Sequence, residues 1–482
     1  MTNIIVTIVT FPSGEVFFSY LDFDFRYNRH IVRKEEVMML DERAFSEQLK
    51  TDNQKTFLKM IEDYEKSIAP SMRAQGFKRI NQKERTVIFS FGEMTFSRSR
   101  WKKGDTVRIP VDEKLGLEPR SRFSQELLYQ ITRLSNYMPY RKVVEVMELL
   151  KSIYITKNTV QHALDVAGHL LEDKADYDSL SADRSADRPS KIKAERLYIE
   201  GDGVWVKQST PKKQGKSVEL SHFVVHTGSK KGNRNILKDK FEVVSTHYHQ
   251  AKDKLLELIM ERFEITPETV IVTNSDGGKG YSPNLFKELV SGFRPKEHFH
   301  FWDAFHVNQA IKTQLRPFPS GLIKQAFQAL KNRDKSQLKT VLDTAESLID
   351  SDEKLATFQR FGRQLLRNFK YTESPEAFGL SSSGIGIMES QHRKITYRMK
   401  NRGMYWSKKG ADTMSQTILL SHSEELRDLF FGEWRQSYQK IKDQESNLLG
   451  QFCDVQSFYT LPRLKRPNVK PKYGVSLIEE RN

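Results

Sequence analysis

Apolar residues open the chain in short β-branched runs, residues 4–10 and 16–25. From Asp41 to about Gly76 their spacing lengthens to three and four, with Phe57, Ile61 and Tyr64 on one helical face. This predicts a small α+β region over residues 1–76 with no readable chemistry. Between Arg85 and Pro110 the period drops to two, in Thr86-Val-Ile-Phe-Ser-Phe and in Met94-Thr-Phe-Ser-Arg-Ser-Arg-Trp, with Gly92-Glu93 between them. That pattern predicts a β-hairpin. Three helices are expected next, over residues 124–135, 139–151 and 157–171, the last capped by Thr156. Their close succession has the form of a helix-turn-helix, and residues 77–171 are expected to be a DNA-binding domain. In the third helix Val160, Leu164, Ala167 and Leu171 share the apolar face. Lys157, Asn158 and Gln161 then point outward near its N-terminus, where a recognition helix meets base edges. A plain three-helix packing unit would show the same pattern.

Residues 172–195 contain the polar near-repeat Ser181-Ala-Asp-Arg-Ser-Ala-Asp-Arg-Pro, which has little to bury and reads as an exposed linker. Strands are expected beyond it at residues 196–206, 218–228 and 240–247, then a helix at 251–263 and a strand at 269–273. Three strands, a helix and another strand suggest an RNase H-like core. A helix near 283–291 and a strand near 297–302 follow, so residues 196–306 form the first part of that core. Residues 307–376 read as an all-helical insertion. Residues 377–450 read as the second part, in which the loop Ser381-Ser-Ser-Gly-Ile-Gly leads into a helix ending at Gly403. Residues 451–482, rich in Pro, Lys and Arg, read as a basic tail. The expected fold class is therefore an α/β RNase H-like catalytic core with an all-helical insertion, preceded by a mainly helical DNA-binding region.

Composition narrows the partners. The 482 residues suffice for several folded units with their own cores. Lys and Arg exceed Asp and Glu to give a net charge of +16, which suits a polyanion such as nucleic acid. Cys453 is the single cysteine, which excludes a disulfide framework or a cysteine zinc site within one chain and agrees with a reducing cytoplasm. No stretch reaches the ~20 apolar residues of a membrane helix, so neither a signal peptide nor an anchor is expected.

Three acidic positions stand out. In Glu200-Gly-Asp-Gly-Val-Trp-Val a carboxylate, Asp202, sits in a strand between two glycines, which weakens the strand but admits close approach of a ligand. In Val270-Ile-Val-Thr-Asn-Ser-Asp-Gly-Gly an apolar strand delivers Asp276 at its C-terminal end, the usual ligand edge of an open α/β sheet; an Asx turn is the plainer reading. In Met388-Glu-Ser-Gln-His-Arg-Lys-Ile-Thr the residues Glu389, His392, Arg393 and Thr396 share one helical face. Together the three acids make sense as shared ligands of two divalent ions about 4 Å apart, which activate water or a 3′-hydroxyl and stabilise the leaving oxygen in phosphodiester transfer. Arg393 is then placed to hold a phosphate. The order, first strand, end of the fourth strand, late helix, is that of DDE enzymes.

Gly201-Asp-Gly-Val-Trp-Val, Asn274-Ser-Asp-Gly-Gly, His298-Phe-His-Phe-Trp-Asp-Ala-Phe-His-Val and Glu389-Ser-Gln-His resemble the ISLre-type insertion-sequence transposases, relatives of the Mutator-like DDE superfamily, over roughly residues 80–450. The resemblance implies that Asp202, Asp276 and Glu389 are catalytic and bind magnesium or manganese. It implies double-stranded DNA partners, the terminal inverted repeats and a target, a homodimer or larger assembly on DNA, and a nucleoid-associated place in a bacterial cytoplasm. Asp303-Ala-Phe-His306 matches the family's Cys-or-Asp, two residues, His signature and is read as structural. A zinc site at His298, His300, Asp303 and His306 is set aside, because strand alternation opposes the two histidines to Asp303. Gly277-Gly-Lys-Gly lacks the full phosphate-loop spacing, which excludes an ATPase reading. Arg402, Lys408 and the aromatics between them offer cations and stacking to a DNA strand, unless Trp406 belongs to the core. A nuclease without strand transfer, and a transposase-derived DNA-binding protein that does not cut, are the alternatives.

Overall fold

The computed structural model describes residues 7–10, 16–19, 41–181, 190–209, 216–230, 236–278, 280–400 and 403–444. The chain forms two compact units, Met1–Lys83 with Phe96–Val111, and Glu84–Thr95 with Asp112–Asn482. The first is built on helix α1 (Glu42–Ala74), whose N-cap Asp41 accepts from the N–H groups of Arg43 and Ala44. Phe57 meets Phe96 edge to face at 6.2 Å, and Glu65 accepts the Ser99 N–H at 2.9 Å. The expected hairpin is present as strands Lys78–Phe89 and Gly92–Lys103, extended by Thr106–Arg108.

In the second unit α2 (Gln125–Ser135), α3 (Tyr140–Lys151) and α4 (Lys157–Ser181) fall where the periodicity put them. Ser124 caps α2, Pro139 stands at the N-cap of α3, and Thr156 and Thr159 exchange backbone-to-hydroxyl bonds of 3.3 Å at the start of α4. Helix α4 does not stop at Leu171. It runs on to Ser181, into the stretch read as linker, because tertiary contacts hold it there. Tyr177 packs against Trp434 and Tyr438, and the Tyr438 hydroxyl donates to Asp176. Residues 182–189, which carry most of the near-repeat, lie outside the described residues, as does the tail beyond 444. Leu127, Ile131, Val143, Met147 and Val160 form one core with Leu426, Phe430 and Trp434, so the end of the described chain closes a core begun at α2.

The sheet contains β1 (Arg196–Lys207), β2 (Ser217–His226), β3 (Phe241–Ser245), β4 (Val270–Ser275) and β5 (Glu297–Trp302), in the order β3-β2-β1-β4-β5. β2 is antiparallel to both β3 and β1, whereas β4 runs parallel to both β1 and β5. Parallel pairing needs a crossover, and α5 (Tyr248–Arg262) and α6 (Pro283–Ser291) provide it. They cover the face carrying Leu197, Ile199, Phe223 and Val225. Val204, Val206, Val218 and Leu220 on the other face meet α11 (Met388–Met399) and α12 (Lys408–His422). Between β5 and α11 the chain is helical: α7 (Ala304–Leu315), α8 (Ser320–Lys331), α9 (Lys335–Glu346) and α10 (Asp352–Asn368), with a core of their own around Ile311, Ala326, Leu342 and Leu365. Helix α13 (Leu426–Phe431) follows α12.

The histidine-rich strand is structural. The Thr273 hydroxyl on β4 lies 2.8 Å from His298 Nε2 and 2.8 Å from His300 Nδ1 on β5, tying the two parallel strands together inside the protein. Thr273→Val keeps the shape and leaves both ring nitrogens without this partner. It should lower the unfolding free energy by about 1–3 kcal/mol, read from the denaturant midpoint; an unchanged midpoint would remove the hydroxyl from the account.

Candidate active site

β4 pairs with β1 as far as Ser275 opposite Gly201, but β1 continues beside β2 to Lys207. The edge of β1 that β4 leaves behind borders a cavity of about 880 Å³, and Asp202, Asp276 and Glu389 all line it. Asp202 is the first residue past the last β4 pair. One carboxylate oxygen accepts the Gly203 N–H at 2.6 Å and the other lies 3.7 Å from His392 Nδ1. Burial, then the neighbouring charge of Asp276, pushes its carboxyl up to about 7. Asp276 follows the end of β4. It makes the Asx turn that its sequence allows, accepting the Gly278 N–H at 2.7 Å, and its carbonyl accepts the Trp302 indole N–H. The plainer reading of that motif therefore holds, and the turn leaves Asp276 on the cavity wall. Glu389 is exposed at the first turn of α11.

One turn further along α11, His392 is buried and lines the same cavity. Burial, reinforced by His222 and His306, lowers its pKa to about 3, so the ring is neutral at physiological pH. Thr396 and Lys400 continue this wall, whereas Arg393 is exposed and does not line the cavity. Asp303 caps α7, accepting the His306 N–H at 3.1 Å, and the His306 side chain reaches the cavity wall. The Asp-x-x-His pair is thus a helix cap with its histidine turned to the site.

Several cavity residues escaped the sequence reading. Glu219 stands opposite Trp205 in the β1–β2 register, and its side chain crosses over Gly203: a Cβ there would lie 2.1 Å from Glu219 Oε1. Gly203 therefore clears the space through which a fourth carboxylate reaches the cavity. Burial and the Asp276 charge raise the Glu219 pKa. Gly201 is cleared for another reason, since a Cβ there would sit 2.5 Å from the Phe223 ring. Tyr281 is buried in the same wall, and Trp205, 53 % exposed, forms part of the rim. Cross-strand pairing with Gly203 and Trp205 was the available signal for Glu219, but it needs the register, which periodicity does not give. Among the described residues no three His, Cys, Asp or Glu groups converge closely enough to hold one ion by themselves.

The other expected contact residues lie elsewhere. Lys157, Asn158 and Gln161 are exposed at the start of α4, with the Gln161 amide bonded to Asp165 at 3.0 Å. Lys408 is exposed in the first turn of α12, and Arg402 lies outside the described residues. Trp406 belongs to the core: its indole N–H donates to the Met399 carbonyl at 3.0 Å and Arg398 packs on its ring. Stacking of DNA on Trp406 is therefore ruled out by its burial. The exposed aromatic of that segment is Tyr405, with Lys207 5.7 Å above its ring.

The class is thus an α/β protein with a five-stranded mixed sheet, a helical insertion and an acid-lined cavity at the end of the β1–β4 pairing. The family described as Uncharacterised protein family (UPF0236) matches residues 33–435, and the chain belongs to it. The UPF0236 protein in vanSb 3'region of Streptococcus gallolyticus is 30 % identical over 420 residues, which cover 85 % of this chain and 86 % of that protein. Among solved structures, the Drosophila P element transposase strand transfer complex aligns over 68 % of this chain and 88 % of its own, at 10 % identity and a TM-score of 0.22. No helix among the described residues is long and apolar enough to cross a membrane.

The raised Asp202 carboxyl has a consequence for stability. The folded chain holds this proton more tightly than the unfolded one, so ionisation opposes folding. The penalty is absent below the ordinary value of 3.8, grows as pH rises, and is complete above about 7. In the presence of chelator, Asp202→Asn should melt at a higher temperature than wild type near neutral pH, with the difference shrinking as pH is lowered to about 4. A difference that is constant with pH would contradict the shift.

Proposed function

We propose that the chain is the DDE transposase of a bacterial insertion sequence, which binds terminal inverted repeats, cuts DNA and joins its 3′-hydroxyl to a target. The observation that carries this reading is the meeting of Asp202, Asp276 and Glu389, from three separate elements, on one cavity. The strand order β3-β2-β1-β4-β5 with β2 antiparallel supports an RNase H-like core, and the helices between β5 and α11 support its insertion. The donor set fits magnesium or manganese, since carboxylate oxygens suit hard cations, and Asp202, buried and then beside Asp276, holds its proton more tightly than a free carboxyl does. Asp202, Asp276 and Glu389 would hold the ions, with water and DNA phosphate completing the ligand sets, as magnesium ordinarily requires. Bound there, two such ions supply an activated water or 3′-hydroxyl and stabilise the leaving oxygen.

The chain's own residues do the rest. Lys400 brings a cation to the cavity wall for a phosphate, and Trp205 offers an exposed ring on which a base next to the cut can stack. His392, kept neutral, adds no positive charge beside Asp202. Lys157, Asn158 and Gln161, at the exposed start of α4, would read the repeats if α2–α4 act as a helix-turn-helix, with Arg393, Arg402 and Lys408 on the phosphates. Cutting two ends and joining them together calls for a dimer or larger assembly on DNA.

Purified protein should cleave and join a duplex carrying the element's ends when magnesium or manganese is present. Asp202→Ala, Asp276→Ala and Glu389→Ala should each reduce this at least about a thousandfold, because metal assistance is worth several kcal/mol and ~1.4 kcal/mol is a factor of ten. Cutting without joining or end preference would favour a nuclease. Binding without cutting under either metal would favour a DNA-binding protein, and alanine variants that still cut would displace the assigned acids.

A further inference from the structure

Helix α11 begins without a cap of its own. Its N-cap residue is Ile387, whose side chain accepts nothing, so the first N–H groups of the helix need an acceptor from elsewhere. Glu200 supplies one from β1 at the entry to the helix: Oε2 accepts the N–H of the N-cap Ile387 at 3.0 Å and Oε1 that of the preceding Gly386 at 2.9 Å. Glu200 is 1 % exposed, a place where carboxylates are rarely found unless they are fully engaged. Asp303 stands beside the same turn. Its Oδ2 is 3.3 Å from where a Cβ on Gly386 would lie, and the Gly386 φ of +73° is one that glycine tolerates best.

We propose that Glu200 is a positioning residue, a carboxylate clasp by which β1 fixes the rotation and height of α11 and so the place of Glu389 relative to Asp202. This rests on the reading of Asp202 and Glu389 as metal-holding acids. Alternation puts Glu200 and Asp202 on the same face of β1, and Glu389 follows the clasped Ile387 by two residues. A one-residue slip of the helix would move Glu389 by about 1.5 Å along the axis and turn it by about 100°. Two hydrogen bonds from one rigid carboxylate forbid that slip. Asp303, by filling the space beside Gly386, braces the clasp, which gives the Asp-x-x-His pair a task besides capping α7.

The test uses the full chain and its Glu200→Gln, Glu200→Ala, Asp202→Asn and Leu255→Ala variants, the last a core change on the opposite sheet face that lowers stability generally. Manganese affinity is measured by titration calorimetry and backbone protection over residues 384–390 by hydrogen exchange. Glu200→Ala should lose protection in that segment and bind manganese about 10–100-fold more weakly, as removal of an outer partner of a metal ligand does. Glu200→Gln, which keeps one acceptor, should fall between it and wild type, and Leu255→Ala should keep its affinity. Should Glu200→Ala fail to fold, Glu200→Gln carries the comparison. A folded Glu200 variant that binds manganese like wild type while Asp202→Asn does not would overturn the clasp and leave the proposed function standing. A wild type that binds no manganese would contradict the proposed function itself; protection over 384–390 then decides the clasp alone, its loss in Glu200→Ala supporting it and its persistence overturning it.

Discussion

The arrangement of the acid-lined cavity depends on where one parallel strand stops. β4 accompanies β1 to Gly201 and no further, while β2 keeps β1 extended to Lys207. Had β4 continued, it would have paired with the edge of β1 at Asp202 and Gly203 and closed that side of the cavity. Because it ends, Asp276 arrives on the turn after β4 beside Asp202, and α11 has room to bring Glu389 and His392 from the other side. The helices between β5 and α11 bury a core of their own, with Trp302 of β5 packed against it and Gln364 donating to the Gly277 carbonyl after β4.

Buried carboxylates on this sheet meet two opposite fates. Glu242 on β3 is surrounded by His222, Lys240 and Lys394; burial alone would raise its pKa, but these partners outweigh burial and hold it well below the usual carboxylate range. Glu200 has only backbone N–H groups, and burial pushes it up to about 8. Burial, and then its acid neighbour Asp276, raise Asp202 as well. A chain with a net charge of +16 thus has ample cations, yet Asp202 and Glu219 in the cavity are raised while the structural carboxylate of β3 is held ionised by His222 and two lysines. That separation suits a site whose counter-charge comes from outside.

Much of this was legible from residue order. Strand period gave β1, β2, β4 and β5 to within a residue or two, and Pro283–Ser291 and Glu297–Trp302 fall where their patterns said. The three acids were visible because glycines beside Asp202 and Asp276, and a polar stripe around Glu389, break otherwise apolar elements. What stayed hidden depends on tertiary placement. Glu200 reads as one more strand residue until the loop before α11 is seen lying over it. Glu219 needs the β1–β2 register, and the extra turns of α4 come from contacts with Trp434 and Tyr438, some 260 positions away, at Asp176 to Tyr438. His392 and Arg393 share a helical face in sequence, but packing turns the first inward and leaves the second in solvent.

The central claim is that the end of the β1–β4 pairing is a divalent-cation site built from Asp202, Asp276 and Glu389. Anomalous diffraction from crystals of the protein soaked in manganese tests it most directly. The account predicts density for bound manganese in the cavity, in contact with Asp202 and Asp276, and its disappearance in Asp202→Asn crystals soaked identically. Manganese found only on other surfaces, with the cavity empty in wild type, would contradict it.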